Sequence, residues 1–362
     1  MIKYLGSKRT LVDVIGRMAD AVEAHTAVDL FTGTTRVAQE LKKRGIIVTA
    51  ADIATYSEVL AECYIATDAD AVDELELAAA LAELGALPGY HGYFTETFCV
   101  QSRYFQPKNG MRVDAIRDHL RDHYSNSPLY PLLLTSLMLA ADRVDSTTGV
   151  QMAYLKSWAA RAHKDLELRR PNLLAGVGIS ERGDAQQLVH ELPRTDLMYL
   201  DPPYNQHRYF TNYHIWETLV RWDAPDYYGV ACKRIDSRDQ ETKSVFNKKR
   251  EMPVAFRDLL LHVSADTVVV SYNDESWITA EQMMTALRDA GHQDVRMVAF
   301  DYKRYVGAQI GIFNPSGEKV GKVSHLRNTE YMFIAGESEK VEAAVSSATA
   351  APQAQLAAPT LF

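Results

Sequence analysis

Cysteine is scarce in this 362-residue chain: Cys63, Cys99 and Cys232 are scattered and odd in number. Without paired spacing they predict neither a disulfide framework nor a cysteine-held zinc. No apolar run is long enough to span a bilayer, and Met1-Ile2-Lys3-Tyr4 opens without the apolar stretch of a secretory signal. These absences predict a reduced, cytoplasmic, globular protein with no membrane contact. Carboxylates do not cluster beside His207 and His214, so those histidines read as hydrogen-bonding or structural residues and no metal is expected. Basic residues are missing from Gly45 to Ser102, while acids gather at Asp68, Asp70, Asp73, Glu74, Glu76 and Glu83. A formal net charge of −8 would weigh against a polyanionic partner if charge were evenly spread.

It is not. Arg103, Lys108, Arg112, Arg117 and Arg121 form one basic stretch, and Lys156, Arg161, Lys164, Arg169 and Arg170 a second. The densest runs through Lys233, Arg234, Arg238, Lys243, Lys248, Lys249 and Arg250. Local positive fields of this kind hold phosphates, and charge runs also coat solvated helix faces. Both readings stand for each run taken separately.

The hydrophobic pattern alternates between strand and helix. Leu11, Val14, Ile15, Met18 and Val22 recur at helical spacing. Ala27-Val28-Asp29-Leu30-Phe31 reads as a buried strand broken at Thr32-Gly33-Thr34, followed by a helix from Arg36 to Lys43 and a strand, Ile46 to Ala50, that stops at Asp52. Strand, glycine turn, helix, strand, acid is the first half of an open, mostly parallel α/β sheet. Later strands are Val177 to Ile179, Leu197 to Leu200, Thr267 to Ser271, Val295 to Phe300 and Glu330 to Ile334, with a helix from Ile278 to Ala290. A hairpin-like stretch around Pro315-Ser316-Gly317 separates the last two strands. Between about Thr67 and Pro171 helices such as Leu132 to Ala141 dominate. The expected organisation is a Rossmann-like sheet domain over 1–66 and 172–336, a helical insertion over 67–171, and a disordered tail over 337–362, rich in Ala, Ser, Gln and Pro.

The turn after Phe31 carries one glycine, Gly33, and lacks the Gly-x-Gly-x-x-Gly spacing that grips a pyrophosphate. Asp52, ending the second strand, is placed to accept hydrogen bonds from ribose hydroxyls, and equally to cap a helix over Thr55 to Ala66. A nucleoside without phosphates fits this turn better than a dinucleotide. The most informative stretch is Leu197-Met198-Tyr199-Leu200-Asp201-Pro202-Pro203-Tyr204. An apolar strand ends in an acid, two prolines without N–H groups, and an aromatic ring. A carboxylate beside a carbonyl makes a two-acceptor fork for an exocyclic NH₂ group, with Tyr204 set to lie against the ring that carries it. Tyr209, Phe210, Tyr213 and Trp216 follow as pocket lining or as core.

Taken together, these pieces resemble the Dam-like class of adenine-specific DNA methyltransferases. Lys3-Tyr4-Leu5-Gly6-Ser7-Lys8 resembles the opening motif in which an aromatic and a lysine touch the cofactor, which here implies Tyr4 and Lys8. Asp29-Leu30-Phe31-Thr32-Gly33-Thr34 resembles the cofactor loop, with Thr35 where that class carries a second glycine. Asp52 falls at the ribose-binding acid, and Gly183-Asp184-Ala185 resembles the motif flanking the cofactor's adenine. Asp201 to Tyr204 resembles the catalytic motif, and Tyr209, Asn212, Tyr213 and His214 continue as that class often does. The order of motifs, with a target-recognition segment between cofactor loop and catalytic turn, also matches.

The resemblance implies S-adenosyl-L-methionine as cofactor, double-stranded DNA as substrate and a cognate restriction endonuclease as a candidate partner. It implies transfer of a methyl group to N6 of a flipped adenine. Asp201 and Pro202 would hold the amino group, Pro203 stiffen the turn and Tyr204 stack on the base. Arg103, Lys108, Asn109, Arg112 and Lys156 are candidate DNA contacts in the insertion, with Lys248 and Lys249 in a loop expected to be mobile. Lys303, Arg304, Lys319, Lys322 and Arg327 would extend that face. Methylation of cytosine N4 or of an RNA adenine, and a non-catalytic nucleic-acid-binding module, are the competing readings.

Overall fold

The computed structural model describes residues 2–4, 8, 10–147, 149–203, 208–274, 276–303, 327–350 and 354–356. Among the described residues ten strands alternate with helices: β1 (Thr26–Asp29), β2 (Ile47–Asp52), β3 (Ile179–Arg182), β4 (Thr195–Leu200), β5 (Tyr227–Tyr228), β6 (Lys233–Arg234), β7 (Ala265–Asn273), β8 (Asp294–Lys303), β9 (Arg327–Gly336) and β10 (Ala354–Leu356). Eight of them form one sheet in the order β10-β8-β9-β7-β4-β1-β2-β3, and β5 and β6 pair separately. Its pairs β1/β4, β4/β7 and β2/β3 are parallel, whereas β9 is antiparallel to both neighbours and β10 to β8. This is the expected Rossmann-like, mostly parallel sheet with flanking helices.

The chain divides into two compact units. One comprises 10–31, 186–206 and 245–362. Here β4 is apolar and buried from Leu197 to Leu200, as a strand covered on both faces must be. Its register sets Ala27 beside Leu197, Asp29 beside Tyr199 and Leu200 beside Val270. The end of this unit differs from expectation: Ser338–Thr349 is a helix. Val341, Ala344, Val345 and Ala348 are buried at helical spacing. Arg17 donates to the Ser347 carbonyl at 3.2 Å and Lys340 pairs with Asp266 at 3.0 Å. Alanine-rich composition resembles a disordered tail but is equally good helix material, and the apolar stripe decides between them.

The other unit comprises 1–9, 32–185 and 207–244. Helices Glu74–Ala86, Pro107–Tyr124 and Tyr130–Val144 lie in the segment expected as a helical insertion. Leu132, Leu137, Phe94, Phe98 and Ile116 share one apolar core with Tyr56 and Leu60 of helix Thr55–Ala61 and with Tyr213, Trp216 and Leu219. From Asp145 onward the described residues are irregular, apart from a single-turn helix Ala160–His163 and a bridge between Thr147 and Tyr154. Helix Thr55–Ala61 also stops short of the expected Ala66, widening into a π turn over Glu62–Ala66. Buried Lys42 donates to the carbonyls of Tyr64, Ile65 and Thr67 at 3.2, 2.8 and 2.6 Å, satisfying acceptors at the end of that turn.

Candidate active site

The turn that closes β4 is built by strand pairing. β1 and β4 run parallel, and the Leu30 N–H donates to the Tyr199 carbonyl at 3.2 Å, so the pairing persists to the carboxyl ends of both strands. Asp201 follows directly, half-buried, with Pro202 buried and Pro203 half-buried. Asp29 is buried on the neighbouring strand. Phe31, two residues on, stands edge-to-face against Phe246 at 5.2 Å and 87°. Tyr204 and His207 lie outside the described residues.

In the other unit, the ends of β2 and β3 carry the candidate cofactor residues. Gly33 adopts φ +52° and donates its N–H to Asp52 Oδ2 at 2.9 Å. Asp52 Oδ1 accepts from the Ala54 N–H at 3.0 Å, and the Gly183 N–H donates to the Asp52 carbonyl at 3.1 Å, which ties the Gly183-Asp184-Ala185 motif to this strand end. Burial pushes the Asp52 pKa up, and the N–H groups of Ala54, Gly33 and Ile53 pull it back. Each carboxylate oxygen that takes one N–H keeps a second lone pair for a hydroxyl.

Above this loop stands Tyr4. Its ring stacks on Tyr213 at 4.6 Å and 17° and on Tyr209 at 5.3 Å and 23°. Its hydroxyl meets the Tyr56 hydroxyl at 3.2 Å. Burial, with Tyr56 and Asp52 close by, pushes its pKa well above the ordinary phenol value, so it stays protonated. Lys8 and Ala185 are buried, whereas Leu5, Gly6 and Ser7 lie outside the described residues. The structure thus brings Tyr4, Gly33, Asp52 and the Asp184 motif together in one unit, and Asp29, Phe31 and Asp201 at adjoining strand ends in the other. Sequence reading missed Tyr56. Its signal is an aromatic residue one helical turn beyond the ribose-type acid.

Thr35, at the missing glycine, adopts φ 61°, a left-handed conformation that is costly for a β-branched residue. Its hydroxyl donates to the Thr34 carbonyl at 2.7 Å and accepts from Gln39 Nε2 at 2.8 Å, which offsets that cost. Tyr213 and Trp216 are core residues. His214 is structural, as expected: Nε2 donates to the Gln151 carbonyl at 2.9 Å, and burial drives its pKa down to about 3.

The DNA-contact expectations fare unevenly. Asn109 is buried: Nδ2 donates to the Lys164 carbonyl and Oδ1 accepts from Leu166 N–H, both at 2.9 Å, so it clamps the irregular segment and presents nothing to solvent. Arg112 donates to the Leu84 and Gly85 carbonyls at 3.2 and 2.8 Å, closing the end of helix Glu74–Ala86. Lys108 is exposed but pairs with Asp165 at 2.5 Å. The Arg103 guanidinium lies 4.8 Å from the centre of the Trp158 ring and donates to the Lys156 carbonyl at 2.9 Å, beside the exposed Lys156.

The Lys233 to Arg250 stretch, expected as a mobile loop, holds both buried and exposed residues. Arg234 is buried between Asp223 and Asp236, each at 2.7 Å, and Lys248 pairs with Glu251 at 2.9 Å. Lys249 and Arg250 are exposed. Arg304, Lys319, Lys322 and the Pro315-Ser316-Gly317 stretch lie outside the described residues, as do the side chains of Lys303 and Arg327. Among the described residues no group of histidine, cysteine and carboxylate side chains could hold a metal ion, and no helix is long and apolar enough to cross a membrane.

An acid-proline-proline turn closes a parallel strand in one unit, and an acid holds a glycine loop in the other. Residues 4–286 match the D12 class N6 adenine-specific DNA methyltransferases. The chain belongs to that family. Among curated proteins it is similar to the type II methyltransferase M.NlaIII of Neisseria lactamica, 29% identical over 319 residues that span 84% of this chain and 92% of the relative. It is similar to M.FokI of Planomicrobium okeanokoites at 29% over 333 residues, 84% of this chain and 50% of that one. M.CviAII of Paramecium bursaria Chlorella virus 1 is 28% identical over 84% of this chain and 92% of its own length. The chain therefore spans nearly the whole of two relatives and about half of M.FokI.

Proposed function

We propose that this D12-class protein methylates N6 of a specific adenine in double-stranded DNA with S-adenosyl-L-methionine, as the modification partner of a restriction endonuclease. The observation that carries the reading is the Asp201-Pro202-Pro203 turn at the carboxyl end of β4, in a family of N6 adenine-specific DNA methyltransferases. The cofactor supplies a methyl group activated by a sulfonium. Asp52, oriented by two backbone N–H groups and still able to accept hydroxyl protons, suits a ribose, and Tyr4 supplies an aromatic wall beside it. A nucleoside cofactor without phosphates matches a loop that has one glycine and no phosphate cradle.

Adenine's amino lone pair is delocalised into the ring, which makes N6 a poor nucleophile. Hydrogen bonds from its two protons to the Asp201 carboxylate and the Pro202 carbonyl pull the nitrogen toward a tetrahedral geometry with its lone pair aimed at the methyl carbon. The rate comes from this positioning and from the fixed acceptors, with no covalent enzyme intermediate. Asp201 takes the released proton after transfer. The base must leave the duplex to reach the fork, with Tyr204 stacking on it. Arg103 with Trp158 and Lys156 in one unit, and Lys249 and Arg250 in the other, are each offered as phosphate contacts.

Nucleoside mass spectrometry of unmethylated DNA incubated with the protein and S-adenosyl-L-methionine, beside Asp201→Ala, tests the proposal. N6-methyladenine from the wild type alone is expected. N4-methylcytosine, or no methylated base on DNA, refutes it.

A further inference from the structure

Helix Thr55–Ala61 begins after Ala54, whose side chain can cap nothing. Its first N–H groups are held from elsewhere. The Ala54 N–H goes to Asp52 Oδ1 at 3.0 Å, and the Thr55 N–H to Glu217 Oε1 at 2.9 Å, across 162 residues of sequence. Glu217 belongs to helix His214–Arg221, is 1% exposed, and its Oε2 has no hydrogen-bond partner among the described residues. Thr55, Arg221, Arg234 and Tyr56 are the polar groups around it.

This is a costly way to cap a helix. Removing a carboxylate from water costs several kcal/mol, whereas a serine or aspartate at position 54 would cap the same turn locally. What the long-range bond adds is a fixed place for residues 52–56. Tyr56 stands edge-on to Tyr213 at 6.0 Å and 64° and meets Tyr4 through its hydroxyl, so one carboxylate fastens the strand end, the aromatic wall and helix His214–Arg221 into one body.

We infer that Glu217 is a positioning residue of the cofactor site: it holds the start of helix Thr55–Ala61 so that Asp52 and Tyr56 are aimed before the cofactor arrives. Glu217 does not itself touch the cofactor. The inference rests on Asp52 being the ribose acceptor.

Titration calorimetry with S-adenosyl-L-methionine and steady-state methyl transfer, both on the full chain, test it. Glu217→Ala should raise Kd and KM for the cofactor roughly tenfold, the scale of a lost helix cap or charged hydrogen bond, with kcat at saturating cofactor within about twofold of wild type. Glu217→Gln keeps an acceptor at Oε1 and should restore Kd to within about twofold, since the bond to Thr55 N–H is retained. A role in folding alone would lower the active fraction, and so kcat, without moving KM.

Thr55→Pro removes the same N–H, together with the Thr55 hydroxyl beside Glu217, from the other side. Ala54 is already extended (φ −79°, ψ 133°), as a residue before proline must be, and proline is tolerated at the first helical position. It should shift Kd as Glu217→Ala does, and the double variant no further. Asp52→Asn separates the ribose assignment from the positioning role. If it leaves cofactor affinity unchanged, the ribose assignment falls. If it weakens binding while Glu217→Ala and Thr55→Pro do not, the positioning role is overturned.

Discussion

Gly33→Ala is the sharpest test of how the cofactor loop is built. The residue sits at φ +52°, where an L side chain costs about 1–2 kcal/mol. An added Cβ would lie 3.1 Å from Tyr4 Cε1 and 3.3 Å from its hydroxyl oxygen, tighter than ordinary contact. A retreat of Tyr4 would break its stacking on Tyr213 and Tyr209 and the contact of its hydroxyl with Tyr56. Overpacking of this kind costs about 1–3 kcal/mol, for a total of about 2–5 kcal/mol with the backbone term.

Gly45→Ala is the control. It has φ +82° with nothing within 4 Å of an added Cβ, so it carries the backbone cost alone. Thermal unfolding of the two variants isolates the crowding of Tyr4. At roughly 2–4 °C per kcal/mol for a unit of 150–250 residues, Gly33→Ala should melt on the order of 10 °C below wild type and well below Gly45→Ala. Calorimetric cofactor affinity should fall by about tenfold, equivalent to 1.4 kcal/mol, in Gly33→Ala only. Equal melting of the two variants, with unchanged cofactor affinity, would refute the reading of Gly33 and Tyr4 as one packed unit.

Asn109→Ala should cost about 2–4 kcal/mol, since it strands the Lys164 carbonyl and the Leu166 N–H, and leave the salt slope of DNA binding unchanged; a flattened slope would return Asn109 to the DNA-facing set. Lys249→Glu with Arg250→Glu should weaken binding and reduce that slope by about 0.9 for each phosphate no longer neutralised; an unchanged slope removes this surface from the DNA face. The buried neutral His214 should set an acid limit on stability. Its folded pKa, about 3, lies below the ordinary 6.5, so its contribution is complete above 6.5 and is lost as the unfolded chain takes up a proton that the folded one refuses. The loss runs at about 1.4 kcal/mol per pH unit below 6.5. His214→Gln keeps an N–H for the Gln151 carbonyl and should show a shallower fall in urea-unfolding stability from pH 6.5 to 5. Parallel slopes would contradict the assignment.

Much of this molecule is legible in order along the chain. Apolar runs of strand length ending in Asp52 and Asp201 announce a parallel sheet with polar chemistry at its carboxyl edge, because such strands must be apolar throughout and their ends are where side chains are released. Local pattern fails where partners are distant. Composition puts the basic residues in one class, yet Arg234 is a buried ion-pair centre, Arg112 a helix closer and Lys249 exposed, a distinction that only packing makes. The same holds for the final helix, whose apolar stripe reads as low complexity until the surface it covers exists.

The sequence by itself determined the family, the turn at Asp201 and the acid at Asp52, since these depend on residue type at fixed local spacing. Tertiary structure decided that the helical segment shares its core with the helices flanking the motifs, that Tyr4 joins Tyr209 and Tyr213 in one aromatic cluster, and that Glu217 caps a helix 162 residues away. Those are long-range contacts between side chains with no mutual spacing in the chain, and only burial, which makes an unmet hydrogen bond expensive, selects one partner among many.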